Sequence, residues 1–501
     1  MERVAVADLG SNSWRLVVYG YEPGTPWWSL VDEIREAVRI SAGLGESGEL
    51  QPERIDRALH TAAVFDSFCH SLDIDQVETV ATSAIRDARN GEQFLDDLKE
   101  ETDLDPRVIS GAEEARYGYL AIVNSTTIQQ GFGLDMGGGS IQALRIDDRE
   151  LSAAESLPLG SVRVSEEYLP GKKASKKAMK ALRKRVSEEL EALEWWSGGG
   201  RIVGIGGTIR NLAAAAMKRA DLPSIDVQGF ELERDALEEL IELLASKPAD
   251  KRGDVGGIKP DRGDVILGGA LVLAAALDSG GFDRIEVTEA GLREGIFFER
   301  LCGEGELFPD VRRESVENLA HRFNSDTDHV DRVAELSLAV FEGLAEVGLH
   351  DLGADERELL WAGCMLHDIG VAIDYDDHHR HSHYLILNAG LPGFTPRELV
   401  LIGLIARYHR KGDPDASELG DLAEKGDDDL LLLLSAIIRL AEQFERSRDG
   451  AIRHVTVATN NGTVTLETEV DPARDSSVPI WSARRNADLL SDALGHEVEI
   501  A

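Results

Sequence analysis

The chain has 501 residues, too many for a single hydrophobic core, and 43% of them are hydrophobic, enough to fill several. Its 53 Lys and Arg face 92 Asp and Glu, a formal charge of −39; this disfavours DNA as a partner and reads as adaptation to a salty cytoplasm, where screening over about 3 Å near 1 M salt relieves self-repulsion. The three cysteines, Cys69, Cys302 and Cys364, have no paired spacing, which argues against a disulfide framework, and no run of 18 apolar residues offers a membrane span. A cytoplasmic protein without leader or membrane anchor is expected.

The first predicted element is a hairpin: an apolar strand over residues 4–6, the turn Ala7-Asp8-Leu9-Gly10-Ser11-Asn12-Ser13, and a second strand over 16–19. A matched copy follows downstream, with strands at 132–134 and 141–144 around Leu134-Asp135-Met136-Gly137-Gly138-Gly139-Ser140. In both, Gly follows the Asp by two residues and Ser follows it by five. Glycines let successive backbone N–H groups face an anion, while the Asp holds a hydrated Mg²⁺ beside it. Two copies predict a duplicated phosphate-clamping fold with its site between the halves, here residues 1–125 and 126–303.

Between the hairpins, a strand over 77–80 leads into Thr82-Ser83-Ala84-Ile85-Arg86, where Arg86 either forks onto a phosphate or makes a surface ion pair. In Ser110-Gly111-Ala112-Glu113-Glu114, Ser110 and Glu113 fit a capping box. Glu114 is left either to favour the helix dipole or, near bound phosphates, to orient and deprotonate an attacking water. Residues 172–185 carry six of the chain's 13 lysines, as a polyanion contact or a solvated helix face. A third glycine turn, Gly204-Ile205-Gly206-Gly207-Thr208, opens a helix over 209–217, a natural phosphate seat.

Past residue 303 the pattern becomes helical to about 450, and a short α+β tail follows over 451–501. The helical part holds nine of the 13 histidines. His367-Asp368 on a helix, with His329 upstream and Glu442 downstream, is a candidate divalent-metal site. His378-His379-Arg380-His381-Ser382-His383 and Arg407-Tyr408-His409-Arg410-Lys411 add imidazoles and cations suited to metal or phosphate. The acidic stretch 413–429 reads as a solvated loop.

In this order the glycine turns, Thr82-Ser83-Ala84-Ile85-Arg86, Ser110-Gly111-x-Glu113-Glu114-Ala115 and Gly291-Leu292-Arg293-Glu294-Gly295 resemble those of the Ppx/GppA phosphatases, exopolyphosphatases and guanosine pentaphosphate phosphohydrolases. The resemblance implies an α/β fold of duplicated actin/hexokinase/Hsp70 ATPase-like (ribonuclease H-like) domains. Met365-Leu366-His367-Asp368-Ile369-Gly370 and the two histidine clusters are similar to the long members, which append an all-α HD domain and a small tail, and which pair into homodimers.

By the same resemblance Glu114 is the general base and Asp8 and Asp135 hold Mg²⁺. Gly10, Ser11, Asn12, Ser13, Gly137, Gly138, Gly139, Ser140, Gly206, Gly207 and Thr208 line the phosphate path, and Arg86 contacts the chain. Two departures stand out. The second loop commonly ends Gly-Gly-Gly-Ser-Thr-Glu, whereas here Ser140-Ile141-Gln142 puts an amide in place of the carboxylate; the last metal Asp of HD phosphohydrolases falls on Glu442. The expected activity is Mg²⁺-dependent removal of terminal phosphate from polyphosphate, with guanosine pentaphosphate as the alternative substrate. A polyphosphate- or nucleotide-binding regulator and an HD phosphodiesterase are further alternatives.

Overall fold

Val4, Ala5, Val6 and Ala7 are all essentially inaccessible to solvent. A strand with no exposed face must lie in the middle of a sheet covered on both sides. That strand is β1 (Glu2–Leu9), and it organises the five-stranded sheet β3-β2-β1-β4-β5, with β2 (Trp14–Tyr21), β3 (Trp28–Glu36), β4 (Val77–Ala81) and β5 (Pro106–Val108). β1 to β3 form an antiparallel meander, while β4 and β5 run parallel to β1 after helical crossovers.

The second sheet repeats this plan in the order β10-β11-β9-β6-β7-β8. β6 (Gly131–Met136), β7 (Ile141–Asp147) and β8 (Glu150–Leu157) make the meander. β9 (Ile202–Ile205) and β11 (Arg284–Val287) extend it in parallel, and β10 (Phe230–Glu233) is an added antiparallel edge. The register repeats as well, since Asp8 lies opposite Arg15 and Asp135 opposite Gln142. This duplicated meander-plus-parallel topology is the actin-like ATPase architecture.

The computed structural model describes residues 1–303 and 305–501, without the side chain of Glu46. Glu304, where the sequence starts the helical domain, lies outside the described residues. The chain divides into two compact units, one of residues 1–220 and 227–311, the other of 221–226 and 312–501. Both sheets belong to the first.

In the second unit, the helices Thr327–Glu346, Ala354–Leu366, His378–Ala389, Pro396–Tyr408 and Asp427–Phe444 surround one apolar core, which the tail strands β12 (Ile452–Asn460), β13 (Thr463–Val470) and β14 (Glu497–Ile500) share. Two sequence readings change here. His367 and Asp368 do not continue a helix: Ala354–Leu366 stops before them and a 3₁₀ turn, Ile369–Ala372, follows, so the two side chains converge instead of splaying about 100° apart around a helix. The acidic stretch is not all solvated loop, because Asp427 is buried at the start of a helix, bonds Arg397 and accepts the Glu424 N–H at 2.7 Å. Among the described residues no helix is long and apolar enough to cross a membrane.

Candidate active site

Asp8 and Asp135 occupy corresponding places near the carboxyl ends of β1 and β6, where the strands give way to the glycine turns. The turns meet across the cleft: a Cβ added to Gly138 would lie 3.2 Å from Ser11 Cβ, and one on Gly139 only 2.4 Å from Ser83 Oγ. Side chains there would force the lobes apart. The cleft between them is lined by Asp8, Gly10, Ser11, Asn12, Ser13, Thr82, Ser83, Glu114, Asp135, Gly137, Gly138, Gly206 and Gly207 among others.

Glu114 reaches this cleft from the first turn of the helix Gly111–Val123. The capping box forms, Ser110 Oγ accepting from Glu113 N–H and the Glu113 carboxylate accepting from Ser110 N–H at 2.8 Å. This occupies Glu113 and frees its neighbour to point inward. Glu114 is 6% exposed, and burial, then the charge of Asp135, push its carboxyl up to about 7 against the pull of Arg86. Burial and the Asp8 charge raise Asp135 to about 7, and burial raises Asp8. A carboxyl poised near neutrality beside a phosphate seat is suited to taking a proton from water.

These three carboxylates also supply the fit for a cation. Asp135 is buried and Asp8 half-buried; the two repel one another and offer only oxygen donors, the preference of Mg²⁺ or Mn²⁺. Arg293 sits 3.5 Å from Asp8 but is shared with Glu294, so the demand for positive charge is only partly met.

Sequence reasoning missed most of the cationic lining. Arg15, Arg210, Arg262 and Arg293 face the cleft from four separate elements. Burial and their mutual repulsion lower Arg15 to about 10, and burial with Arg35 and Arg210 does the same to Arg262. Arg210 follows Thr208 by two residues and Arg293 lies in a motif already singled out, so a signal existed for both. Arg15 and Arg262 carried none.

Four expected phosphate contacts stand outside the lining. The Arg86 side chain donates to the Ile109 carbonyl at 2.8 Å and to Glu114 at 3.3 Å, holding the carboxylate from behind. Ser140 Oγ accepts from Gln142, whose amide also donates to Ser156 while its own Oε1 is buried without a partner. Thr208 is buried with its hydroxyl unpartnered. Gly139 packs on Ser83 as described.

Residues 17–304 match the family model of the Ppx/GppA phosphatase family, and residues 311–478 match Ppx/GppA phosphatase, domain III. The chain belongs to the Ppx/GppA phosphatase family. It is a hydrolase acting on phosphoanhydride bonds. Among solved structures, a Ppx/GppA family member from Aquifex aeolicus is 28% identical, with a TM-score of 0.51 over 59% of this chain and 96% of that one. An exopolyphosphatase-like protein is 26% identical, with a TM-score of 0.53 over 60% and 98%. An exopolyphosphatase from Cytophaga hutchinsonii, at 22% identity and a TM-score of 0.56 over 60% and 99%, supports the fold alone.

In the second unit of this Ppx/GppA phosphatase, His329, His367, Asp368 and Glu442 come together from three stretches of chain. Glu442 Oε2 lies 3.0 Å from His329 Nε2 and 3.5 Å from His367 Nε2, so the extra methylene of glutamate does not take it out of reach. His378 and His409 join the same cluster through Asp368. His367, pulled down by burial but held up by Asp368 and Glu442, reaches about 9; His409, buried beside it, falls to about 3. The cations of the 407–411 cluster are mostly engaged, Arg407 with Glu418 at 3.1 Å and Lys411 with Asp377 at 2.8 Å.

Proposed function

We propose that this Ppx/GppA phosphatase is an exopolyphosphatase, releasing orthophosphate from the end of a polyphosphate chain. The observation that carries the reading is the cleft lining: four arginines and three glycine turns in a chain of charge −39, with Met136 and Leu292 the only apolar side chains among the described lining residues and no aromatic ring for a base. Such a surface suits repeated phosphates.

In this reading the terminal phosphoryl group lies between the glycine turns. Glu114 accepts a proton from a water whose oxygen attacks phosphorus in line; the anhydride P–O bond breaks and the shortened chain leaves as an anion. Arg86 keeps Glu114 oriented. Arg15, Arg210, Arg262 and Arg293 hold the equatorial and leaving oxygens. Asp8 and Asp135 would hold Mg²⁺, which when bound neutralises charge on the phosphate oxygens. The exposed lysines of residues 172–177 would attract the rest of the chain.

A neighbouring cavity of about 370 Å³ favours a second reading. It shares Asn12 with the cleft and is walled by Val162, Leu169 and Pro170, an apolar seat for the nucleoside of guanosine pentaphosphate. Orthophosphate release from long-chain polyphosphate and from guanosine pentaphosphate, measured in parallel with Mg²⁺ in molar KCl, decides between them. Faster turnover of polyphosphate is expected; faster turnover of the nucleotide would overturn the first reading.

A further inference from the structure

One short helix, Ser161–Tyr168, is built onto the second glycine turn. The first N–H groups of a helix have no partner within it, and here they find one in the turn: Ser161 N–H donates to the Gly137 carbonyl at 3.0 Å and Val162 N–H to the Gly138 carbonyl at 2.9 Å. The approach is so close that a Cβ on Gly160 would lie 2.4 Å from the Gly139 carbonyl carbon. The next carbonyl, that of Gly139, is taken by a side chain instead, Arg163 Nε donating to it at 2.9 Å.

The same guanidinium reaches across to the other lobe, where Arg163 Nη2 donates to Asp87 Oδ2 at 2.6 Å. Asp87 is the last residue of the helix Ser83–Asp87. Its Oδ1 lies 3.7 Å from Nε of the adjacent Arg86, the side chain that holds Glu114 from behind. A continuous chain of contacts thus runs from the Gly139 carbonyl through Arg163, Asp87 and Arg86 to the Glu114 carboxylate. Asp87 and Glu114 compete for Arg86; Arg163 occupies one oxygen of Asp87 and offsets its charge, which leaves Arg86 to Glu114.

Stability does not explain this arrangement. The side chains of Arg163 and Asp87 are 35% and 41% exposed, and an ion pair so open to water contributes little to folding. Nor do the two residues reach the substrate, since neither is among the described residues that line the cleft. The turn itself stays tethered by the backbone N–H groups of Ser161, Val162 and Arg163 whatever side chain stands at 163. What the guanidinium supplies is the link between the turn and the base.

We propose that Arg163 is a positioning residue for the hydrolysis: it ties the glycine turn that seats the terminal phosphoryl group to the arginine that orients Glu114, so that base and phosphate seat, which come from different lobes, keep one register. The proposal rests on the reading of Glu114 as the base. A water held between two lobes is misplaced by any slippage of one against the other, and a displacement of about 1 Å can cost about 10²-fold in rate.

The test is steady-state phosphate release from polyphosphate by the full-length protein, with saturating Mg²⁺ in molar KCl. Arg163→Gln is expected to lower kcat about 10- to 100-fold while KM stays within about threefold of wild type. Arg163→Lys, which keeps a cation for Asp87 but not the fork that also reaches Gly139, is expected to fall between the two. In the Glu114→Gln background, followed at raised enzyme concentration, there is no base to place, and Arg163→Gln is expected to lower the residual kcat by less than about twofold. An unchanged kcat in well-folded Arg163→Gln overturns the proposal. So does a loss in the Glu114→Gln background as large as in wild type, because Arg163 then supports the turn and not the base. Should Arg163→Gln not fold, Arg163→Lys carries the same two comparisons. A fully active Glu114→Gln overturns the reading of the base and the proposal with it, a result distinct from the other two.

Discussion

Replacing Glu114 with Gln separates the cost of the candidate base from its use. The carboxyl is buried and raised from 4.5 to about 7, and at about 1.4 kcal/mol per decade this is worth about 3 kcal/mol. Because the folded-state value lies above the unfolded one, the group's stability contribution is intact below pH 4.5 and is lost as pH rises through about 7. Glu114→Gln keeps the shape and an acceptor for Arg86 but removes the charge. In urea unfolding of the chelated protein, followed on the first unit, the variant is expected to match wild type at pH 4.5 and to exceed it by up to about 3 kcal/mol at pH 8, less what the 3.3 Å pair with Arg86 returns. In the phosphate-release assay the same variant is expected to lose about 10²- to 10⁴-fold in kcat. Wild-type kcat/KM should fall as pH drops below about 7, and that limb should vanish in the variant. Equal activity in the two proteins, or a stability difference that does not change between pH 4.5 and 8, would refute the assignment.

Arg293→Met strands Asp8 and Glu294 beside each other in the buried cleft, and a loss of about 3–5 kcal/mol in the unfolding of the first unit is expected; a loss below about 1 kcal/mol would contradict the pairing. Gly295 packs so closely on the helix Gly111–Val123 that an added Cβ would lie 1.9 Å from the Tyr117 carbonyl, so Gly295→Ala should cost about 1–3 kcal/mol and lower kcat by displacing Glu114 one turn away; unchanged kcat with normal folding would show that the contact does not position the base. Chelation should abolish phosphate release and Mg²⁺ restore it, with Asp8→Asn and Asp135→Asn each raising the Mg²⁺ needed for half-maximal rate. With a formal charge of −39, stability should climb as KCl rises from 0.1 to 1 M and the Debye length contracts from about 10 to 3 Å; a flat salt dependence would remove the halophilic reading.

The sequence alone carried the duplication, because an Asp, a Gly and a Ser at fixed spacing between apolar runs is a local pattern that survives without knowledge of any partner. The capping box was legible for the same reason: Ser110 and Glu113 satisfy each other within one turn, and this left Glu114 over as the residue to explain. The His367-Asp368 pair was also visible, but not its geometry, since the helix end that makes the two side chains converge is set by packing in the second unit. Tertiary structure alone decided that Arg15, Arg210, Arg262 and Arg293 face one cleft, that Arg86 backs Glu114, and that Ser140 is tied to Gln142. It also brought His378 and His409 to the far side of Asp368. Apart from Ser140 and Gln142, each of those pairings joins residues whose sequence positions have no fixed spacing, so the sign of the field at the site becomes determinate only when the separate elements are packed.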